Sequence, residues 1–110
     1  MPDSHPSKTA AVAFIEQYEK LNGPGTRNQF AAHTYDILLV LQKIVPEALK
    51  KARPGTREFR AALKDALENS GKIAVSQGVL QYTASDHFGF QPDTGVILKV
   101  VNGDWRLERN

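Results

Sequence analysis

The stretch VILKVVNGDWRL, residues 96–107, predicts a β-hairpin and is the strongest local signal in the chain. Two runs of strand-like composition, residues 96–101 and 104–107, flank the pair Asn102-Gly103. Asn-Gly favours a tight type I′ turn, because that turn requires positive φ at both central positions. The first run is almost continuously apolar, which is typical of a strand that is covered on both faces.

Periodic apolar residues before this hairpin predict three helices. The first begins at Pro6 and is stopped by residues 22–25, which read Asn-Gly-Pro-Gly. The second starts near Asn28 and is kinked or restarted at Pro46. Thr56 caps the third helix by accepting backbone N–H groups. The residues of the three helical stripes are Ala11, Phe14, Ile15, Tyr18 and Leu21; Phe30, Ala31, Thr34, Ile37, Leu38 and Leu41; and Phe59, Ala62, Leu63, Ala66 and Leu67.

The helical pattern ends at residues 69–71, which read Asn-Ser-Gly. Val79, Leu80 and Tyr82 then predict a short strand, and residues 84–89 indicate a turn or an irregular loop. The chain is therefore expected to contain three helices followed by a short strand and a β-hairpin.

The composition is that of an ordinary globular protein, and it excludes several kinds of chemistry. The 110 residues make one domain at most. With 14 Lys and Arg against 12 Asp and Glu, the net charge of +2 does not by itself indicate nucleic-acid binding. The absence of cysteine excludes disulfides, cysteine nucleophiles and thiolate metal sites.

Neither a membrane span nor a secretion signal is predicted. The longest apolar run, residues 37–41, is far shorter than the roughly 18–20 residues of a span. Residues 1–6 are polar and lack the basic and apolar regions of a signal peptide. As written, this chain would stay in the cytoplasm.

No group of residues predicts catalysis, a cofactor or a metal site. The histidines His5, His33 and His87 form no His-Glu-x-x-His motif, and no serine lies in a Gly-x-Ser-x-Gly context. Asp86-His87 fits a turn-forming carboxylate beside a surface imidazole better than a metal site, which would need further ligands. We therefore expect a protein that is not an enzyme.

A cluster of basic residues lies at the end of the second helix and along the third. A solvated surface is favoured over a nucleic-acid site, since cations are stabilised at helix C-termini and no aromatic residues alternate with the basic ones. Tyr35 fits a core aromatic residue, and no role is assigned to it or to His33. The basic residues are Lys50, Lys51, Arg53, Arg57, Arg60 and Lys64.

Several short motifs follow one another along nearly the whole chain. They are DSHPSK at 3–8, FIEQYE at 14–19, FAAHTYD at 30–36, PGT at 54–56, FRAAL at 59–63, ALE at 66–68, Asp-His-x-Gly at 86–89 and VVNGDW at 100–105. In this order and spacing they resemble the last third of type I periplasmic solute-binding proteins, the leucine/isoleucine/valine-binding-protein family of ABC importers.

The resemblance implies an α/β parent protein with two lobes, which are joined by three crossovers and bind a small solute between them. Residues 1–88 would be the C-terminal part of the first lobe, residues 89–95 the third crossover and hinge, and residues 96–110 the terminal hairpin of the second lobe. The parent would be periplasmic and would carry the signal peptide itself. It would deliver an amino acid, or an aromatic or aliphatic carboxylate, to the permease of an ABC importer, without a cofactor.

Phe30 is the position to which the resemblance carries a ligand contact. Family members place an aromatic residue, often tyrosine, directly before the Tyr-containing helix pattern, and Phe30 corresponds to it. Phenylalanine keeps the apolar wall of the cleft and lacks the hydroxyl. The remaining ligand contacts of the family come from segments outside this chain.

An alternative interpretation is a free-standing small α+β protein-interaction module, with the basic third helix as its partner surface. Under the receptor interpretation, the isolated chain is expected to bind no solute and to self-associate as a dimer. The apolar run at residues 96–101 would leave one face and one edge uncovered, so two copies would exchange the hairpin of residues 96–107.

Overall fold

The computed structural model describes residues 3–91 and 94–108 and shows three helices and two small antiparallel hairpins. In chain order the elements are α1 (Lys8–Asn22), α2 (Gln29–Leu49), α3 (Arg57–Glu68), β1 (Lys72–Val75), β2 (Gly78–Gln81), β3 (Leu98–Val101) and β4 (Asp104–Leu107). The predicted order of helices, strand and terminal hairpin is confirmed. The predicted short strand is one half of a second hairpin, because β1 pairs with it.

Side-chain caps set where two of the helices begin. The Asn28 side chain accepts a hydrogen bond from the Ala31 N–H at 3.0 Å. Thr56 does the same for the Phe59 N–H at 3.1 Å, as predicted. The expected start of α1 at Pro6 is wrong by two residues, since a turn precedes Lys8.

Pro46 neither ends nor restarts the second helix. It lies inside α2, which continues to Leu49 as one element of 21 residues. Proline removes one helical hydrogen bond, and in the last turn the loss affects few neighbours. The remaining residues of that turn, Glu47, Ala48 and Leu49, have high helix propensity, which accounts for the continuation.

The core lies between the helices and the β1–β2 hairpin. Ile73, Val75 and Leu80 form its centre, with Leu39 and Val40 of α2 packed against them. Phe14 of α1 is buried as its stripe predicted, with ring-centroid distances of 5.3 Å to Tyr18 and 5.6 Å to Tyr35. Ala32, Ile44, Ala48 and Ala62 are the other buried apolar residues of the helices.

The β3–β4 hairpin forms as predicted and stands apart from the rest. Asn102 and Gly103 have φ of 52° and 82°, so both central positions of the turn adopt the positive φ that type I′ requires. Every residue of both strands is exposed, and the hairpin shares no sheet with β1 and β2. The Cα radius of gyration is 16.6 Å, against about 13 Å for a compact domain of this size.

The apolar stripe of α2 is largely uncovered. Phe30, Ile37, Leu38 and Leu41 are all exposed, although their spacing places them on one face of the helix. Leu21 of the α1 stripe is exposed to 84%. Within residues 3–91 and 94–108, no helix is both long and apolar enough to cross a membrane.

Candidate ligand-contact site

Phe30 lies in the first turn of α2 with 79% of its surface exposed. The Asn28 cap fixes where the helix starts, and so fixes the point from which the Phe30 side chain projects. An aromatic ring of this size that packs on no core is available to a molecule outside the chain.

Tyr35 and His33, the neighbouring rings on α2, lie in different surroundings from Phe30. Tyr35 is half-buried and packs on Phe14 of α1, as expected of a core aromatic residue. The imidazole of His33 meets the ring of Phe90 edge-on, with 6.1 Å between ring centroids. Neither residue packs with Phe30 among the aromatic pairs of the described chain.

Asp36 is a buried carboxylate that the sequence analysis did not single out. Its Oδ1 accepts a hydrogen bond from the Ser76 N–H at 2.7 Å, and its Oδ2 accepts one from the Gln77 N–H at 3.2 Å. Two backbone donors offset the cost of removing a carboxylate from water. The available sequence signal for the role of Asp36 was its charge next to the apolar residues of the α2 stripe.

Two further bonds tie the turn between β1 and β2 to the starts of both long helices. The Gln77 amide Nε2 donates to the Gln29 carbonyl at 2.8 Å, directly before Phe30. The Ser7 hydroxyl, at the start of α1, donates to the Gly78 carbonyl at 2.5 Å and is fully buried. The first turn of α2 is therefore held at a defined position by residues far away in sequence.

Two of the concave regions beside α2 lie close to residues described above. One, of about 290 Å³, lies beside its first turn and is lined by Phe14, Ile15, Arg27, Asn28, Ala32 and Ser76 among others. The other is an apolar groove of about 380 Å³ between α2 and β2, which includes His33, Ile37, Leu41, Leu80, Tyr82 and Phe90. Phe30 lines neither of these two regions.

Asp86 and His87 adopt the structural roles that their sequence favoured. The Asp86 Oδ1 accepts the N–H groups of Phe88 at 2.9 Å and Gly89 at 3.3 Å, which closes a turn. The His87 Nε2 lies 2.8 Å from Glu68 Oε1 on α3. Across residues 3–91 and 94–108, no three His, Asp or Glu side chains are grouped so that they could hold a metal ion.

Glu68 is the centre of a small polar cluster on α3. Lys64 Nζ lies 2.9 Å from its Oε2 and, together with the His87 hydrogen bond, holds the pKa of the Glu68 carboxyl below its ordinary value. The same contact raises the pKa of Lys64. The side chains of Lys50 and Glu47 also pair, at 2.6 Å, and all six residues of the basic cluster are exposed. The cluster is a solvated surface in this structure.

Solved structures of extracellular ligand-binding receptors match almost the whole chain. A receptor from Rhodopseudomonas palustris has 41% sequence identity and a TM-score of 0.91 over 99% of this chain. A receptor from R. palustris HaA2 has 38% identity and a TM-score of 0.92, again over 99% of the chain. Another from HaA2 has 31% identity and a TM-score of 0.83 over 98%. No protein-family model and no curated protein matches the sequence.

The class of protein to which this chain is similar is the extracellular ligand-binding receptor. The chain spans 30% of the length of each of these three receptors. The predicted resemblance to a segment of a type I solute-binding protein is therefore confirmed, and the described helices and hairpins are the counterpart of about a third of such a receptor.

Proposed function

We propose that this chain acts as part of a type I periplasmic solute-binding protein, which binds an amino acid or an aromatic or aliphatic carboxylate and delivers it to the permease of an ABC importer. The observation that carries the proposal is the match of 99% of the chain to ligand-binding receptors, at 38–41% identity and TM-scores of 0.91–0.92. The similarity to these receptors therefore holds in sequence as well as in fold.

The uncovered apolar surfaces of the chain support the proposal. The α2 stripe and the β3–β4 hairpin both expose large apolar side chains, among them Ile37, Leu41, Val100 and Trp105. Exposed apolar area of this extent marks an interface rather than a free surface. The part of a receptor that this chain does not include would supply the cover, whereas a free-standing module would leave these surfaces in water.

The separate hairpins support a division of the chain between two lobes. We place residues 1–88 in the first lobe, residues 89–95 in the third crossover and residues 96–110 in the second lobe. The β1–β2 and β3–β4 hairpins form two independent sheets, as expected of segments that belong to different lobes. Residues 92 and 93 of the crossover lie outside the described part of the chain.

Phe30 would form part of the apolar wall of the solute cleft. Its exposure and its position at the capped start of α2 support this role. The binding event requires no bond to be made or broken. Solute captured between the lobes would favour the closed arrangement of a hinged pair of domains. The permease would recognise this closed arrangement.

A receptor chimera tests the proposal. The segment of the R. palustris receptor that is 41% identical to this chain is replaced by this chain. Calorimetry with leucine, isoleucine, valine and benzoate is carried out on the unmodified receptor and on the chimera. We expect a saturable heat from the chimera with at least one of these solutes. A folded, monodisperse chimera that binds none, beside an unmodified receptor that binds, would overturn the proposal.

The isolated chain is the matched control for that experiment. A pocket that buries most of a solute needs both of its walls, and Phe30 supplies only one. We therefore expect no saturable heat from the chain by itself. Micromolar binding by the chain alone would contradict the division of the site between two lobes.

A further inference from the structure

The turn formed by Ser76, Gln77 and Gly78, here the 76–78 turn, meets four distant parts of the chain. Two of the partners are on α2: the Asp36 carboxylate holds the turn backbone, and the Gln29 carbonyl accepts from the Gln77 side chain. These bonds join residues separated by 40 to 48 positions in sequence. The buried hydroxyl of Ser7 adds a bond over 71 positions.

Gly78 makes a fourth contact, with Thr94. A Cβ built on Gly78 would lie 2.5 Å from the Thr94 Cγ2 methyl and 3.3 Å from its Oγ1. The φ of Gly78 is 155°, which also disfavours a side chain. Thr94 therefore occupies the space that a side chain at position 78 would need, so the turn backbone and Thr94 lie against each other.

Two of these four partners lie where a hinged receptor would bind solute or bend. Gln29 directly precedes Phe30, the proposed wall of the solute cleft. Thr94 lies in residues 89–95, the proposed third crossover. Ser7 directly precedes α1 and ties the start of that helix to the turn. One turn of three residues thus contacts the residue beside the proposed solute wall and the proposed third crossover.

We propose that the 76–78 turn couples solute binding at Phe30 to the movement of the third crossover, with Gln77 and Gly78 as positioning residues. This inference rests on the proposed function. Solute that contacts Phe30 would fix the first turn of α2. The hydrogen bond from the Gln77 amide to Gln29 would then fix the 76–78 turn relative to that helix. The Gly78–Thr94 contact would in turn restrict the position of the crossover. Coupling of this kind requires a continuous chain of packed and hydrogen-bonded groups, which these residues form.

Asp36 gives the turn the rigidity that such coupling needs. Its two carboxylate oxygens hold consecutive backbone N–H groups, so the turn cannot rotate without leaving a buried charge unpaired. The Gln77 side chain is the adjustable link, because it is only half-buried and makes a single bond to α2. Asp36 thus holds the turn backbone rigid, while the Gln77 side chain connects the turn to the first turn of α2.

The receptor chimera described above tests the coupling through Gly78→Ala. Solute affinity is measured by calorimetry, and the decrease in radius of gyration on solute binding is measured by small-angle X-ray scattering. We expect Gly78→Ala to weaken binding by roughly tenfold, within the usual range of coupling between sites, and to diminish the compaction. Thr94→Ser in the same background removes the methyl at 2.5 Å and is expected to restore part of both.

Gly55→Ala is the matched control. It makes the same glycine-to-alanine change at another position of positive φ, 86°, in the loop between α2 and α3, where a Cβ would meet nothing within 4 Å, and is expected to change neither affinity nor compaction. Gln77→Ala is a second variant, which breaks the link to Gln29 without crowding the crossover. It keeps the inference testable if Gly78→Ala does not fold, and it is expected to weaken binding as well.

The outcomes separate the inference from the function on which it rests. A folded chimera that binds no solute before any substitution, beside an unmodified receptor that binds, overturns the proposed function. A chimera that binds and compacts, and whose Gly78→Ala and Gln77→Ala variants do so equally well, overturns the coupling alone. Equal losses from Gly78→Ala and Gly55→Ala would also overturn it, because they would not depend on the contact with Thr94.

Discussion

Asp36 Oδ1 lies 2.7 Å from the backbone nitrogen of Ser76, and this buried hydrogen bond joins the middle of α2 to the turn between β1 and β2. The residues are 40 positions apart in sequence. Both partners are buried, since Asp36 and Ser76 have relative exposures of 5% and 6%. The bond therefore links α2 and the β1–β2 hairpin inside the core.

Asp36→Ala is expected to destabilise the chain. The N–H groups of Ser76 and Gln77 would lose their acceptors, and a buried donor left unsatisfied costs about 1–3 kcal/mol. Urea unfolding at fixed protein concentration measures the change in the free energy of unfolding. Asp36→Asn should cost less, since its amide oxygen still accepts one bond. Glu16→Ala, an exposed carboxylate on α1, is the control, and an equal loss from both alanine variants would contradict the prediction.

The Glu68 cluster is expected to make stability depend on pH. Lys64 and then His87 lower the folded-state pKa of Glu68 below its ordinary value of 4.5. The stabilisation is therefore fully present above that value and is lost as pH falls through the lower folded-state pKa. Below pH 4.5 the free energy of unfolding should fall less steeply in Glu68→Gln than in the unmodified chain. Glu16→Gln is the control and should fall as the unmodified chain does. Identical acid profiles for all three proteins would rule the effect out.

Phe30→Ala in the receptor chimera is expected to weaken solute binding without loss of stability. The change removes apolar area that solute would bury, worth about 1–3 kcal/mol of binding free energy. The thermal midpoint of the solute-free chimera should stay unchanged, because a side chain on the wall of an open cleft is exposed to water, as Phe30 is to 79% in this chain. Leu21→Ala, which alters an apolar side chain exposed to 84%, is the control. Undiminished affinity in the Phe30 variant would show that the ring does not contact solute.

The isolated chain is expected to self-associate through its apolar strands. β3 exposes Leu98, Val100 and Val101, and an uncovered apolar edge strand pairs readily with another chain. Light scattering should give twice the monomer mass of 12.2 kDa, as expected for a dimer that exchanges residues 96–107. Val100→Lys should shift the chain to monomer, and Leu21→Lys should not. A monodisperse monomer of the unmodified chain would favour the free-standing module instead.

The features predicted correctly from sequence are those that neighbouring residues determine. The hairpin follows from Asn102 and Gly103, whose positive φ is a property of the dipeptide itself. The starts of α2 and α3 follow from Asn28 and Thr56, each of which bonds to an N–H three residues further on. Such signals lie within a few residues of one another and require no knowledge of the tertiary structure.

The features that sequence reasoning missed depend on distant partners. β1 has only four residues, and its burial pattern arises because Ile73 and Val75 pack beneath α2. The role of Asp36 depends on a turn 40 residues away. A restart of α2 at Pro46, the expected alternative to a kink, does not occur, since the helix continues to Leu49 and proline near the end of a helix removes little bonding. The exposure of Phe30 also depends on distant residues, because it is set by whether any of them packs against the ring.

The bonds of the 76–78 turn also imply an order of assembly. α2 and α3 are separated by only residues 50–56, so they pair after the closure of a short loop. Asp36 and Ser7 meet their partners only when loops of 40 and 71 residues close, and contacts of such separation form slowly. Loop closure therefore predicts that the Asp36 carboxylate remains hydrated while the helical pair forms, and that the β1–β2 hairpin removes it from water afterwards.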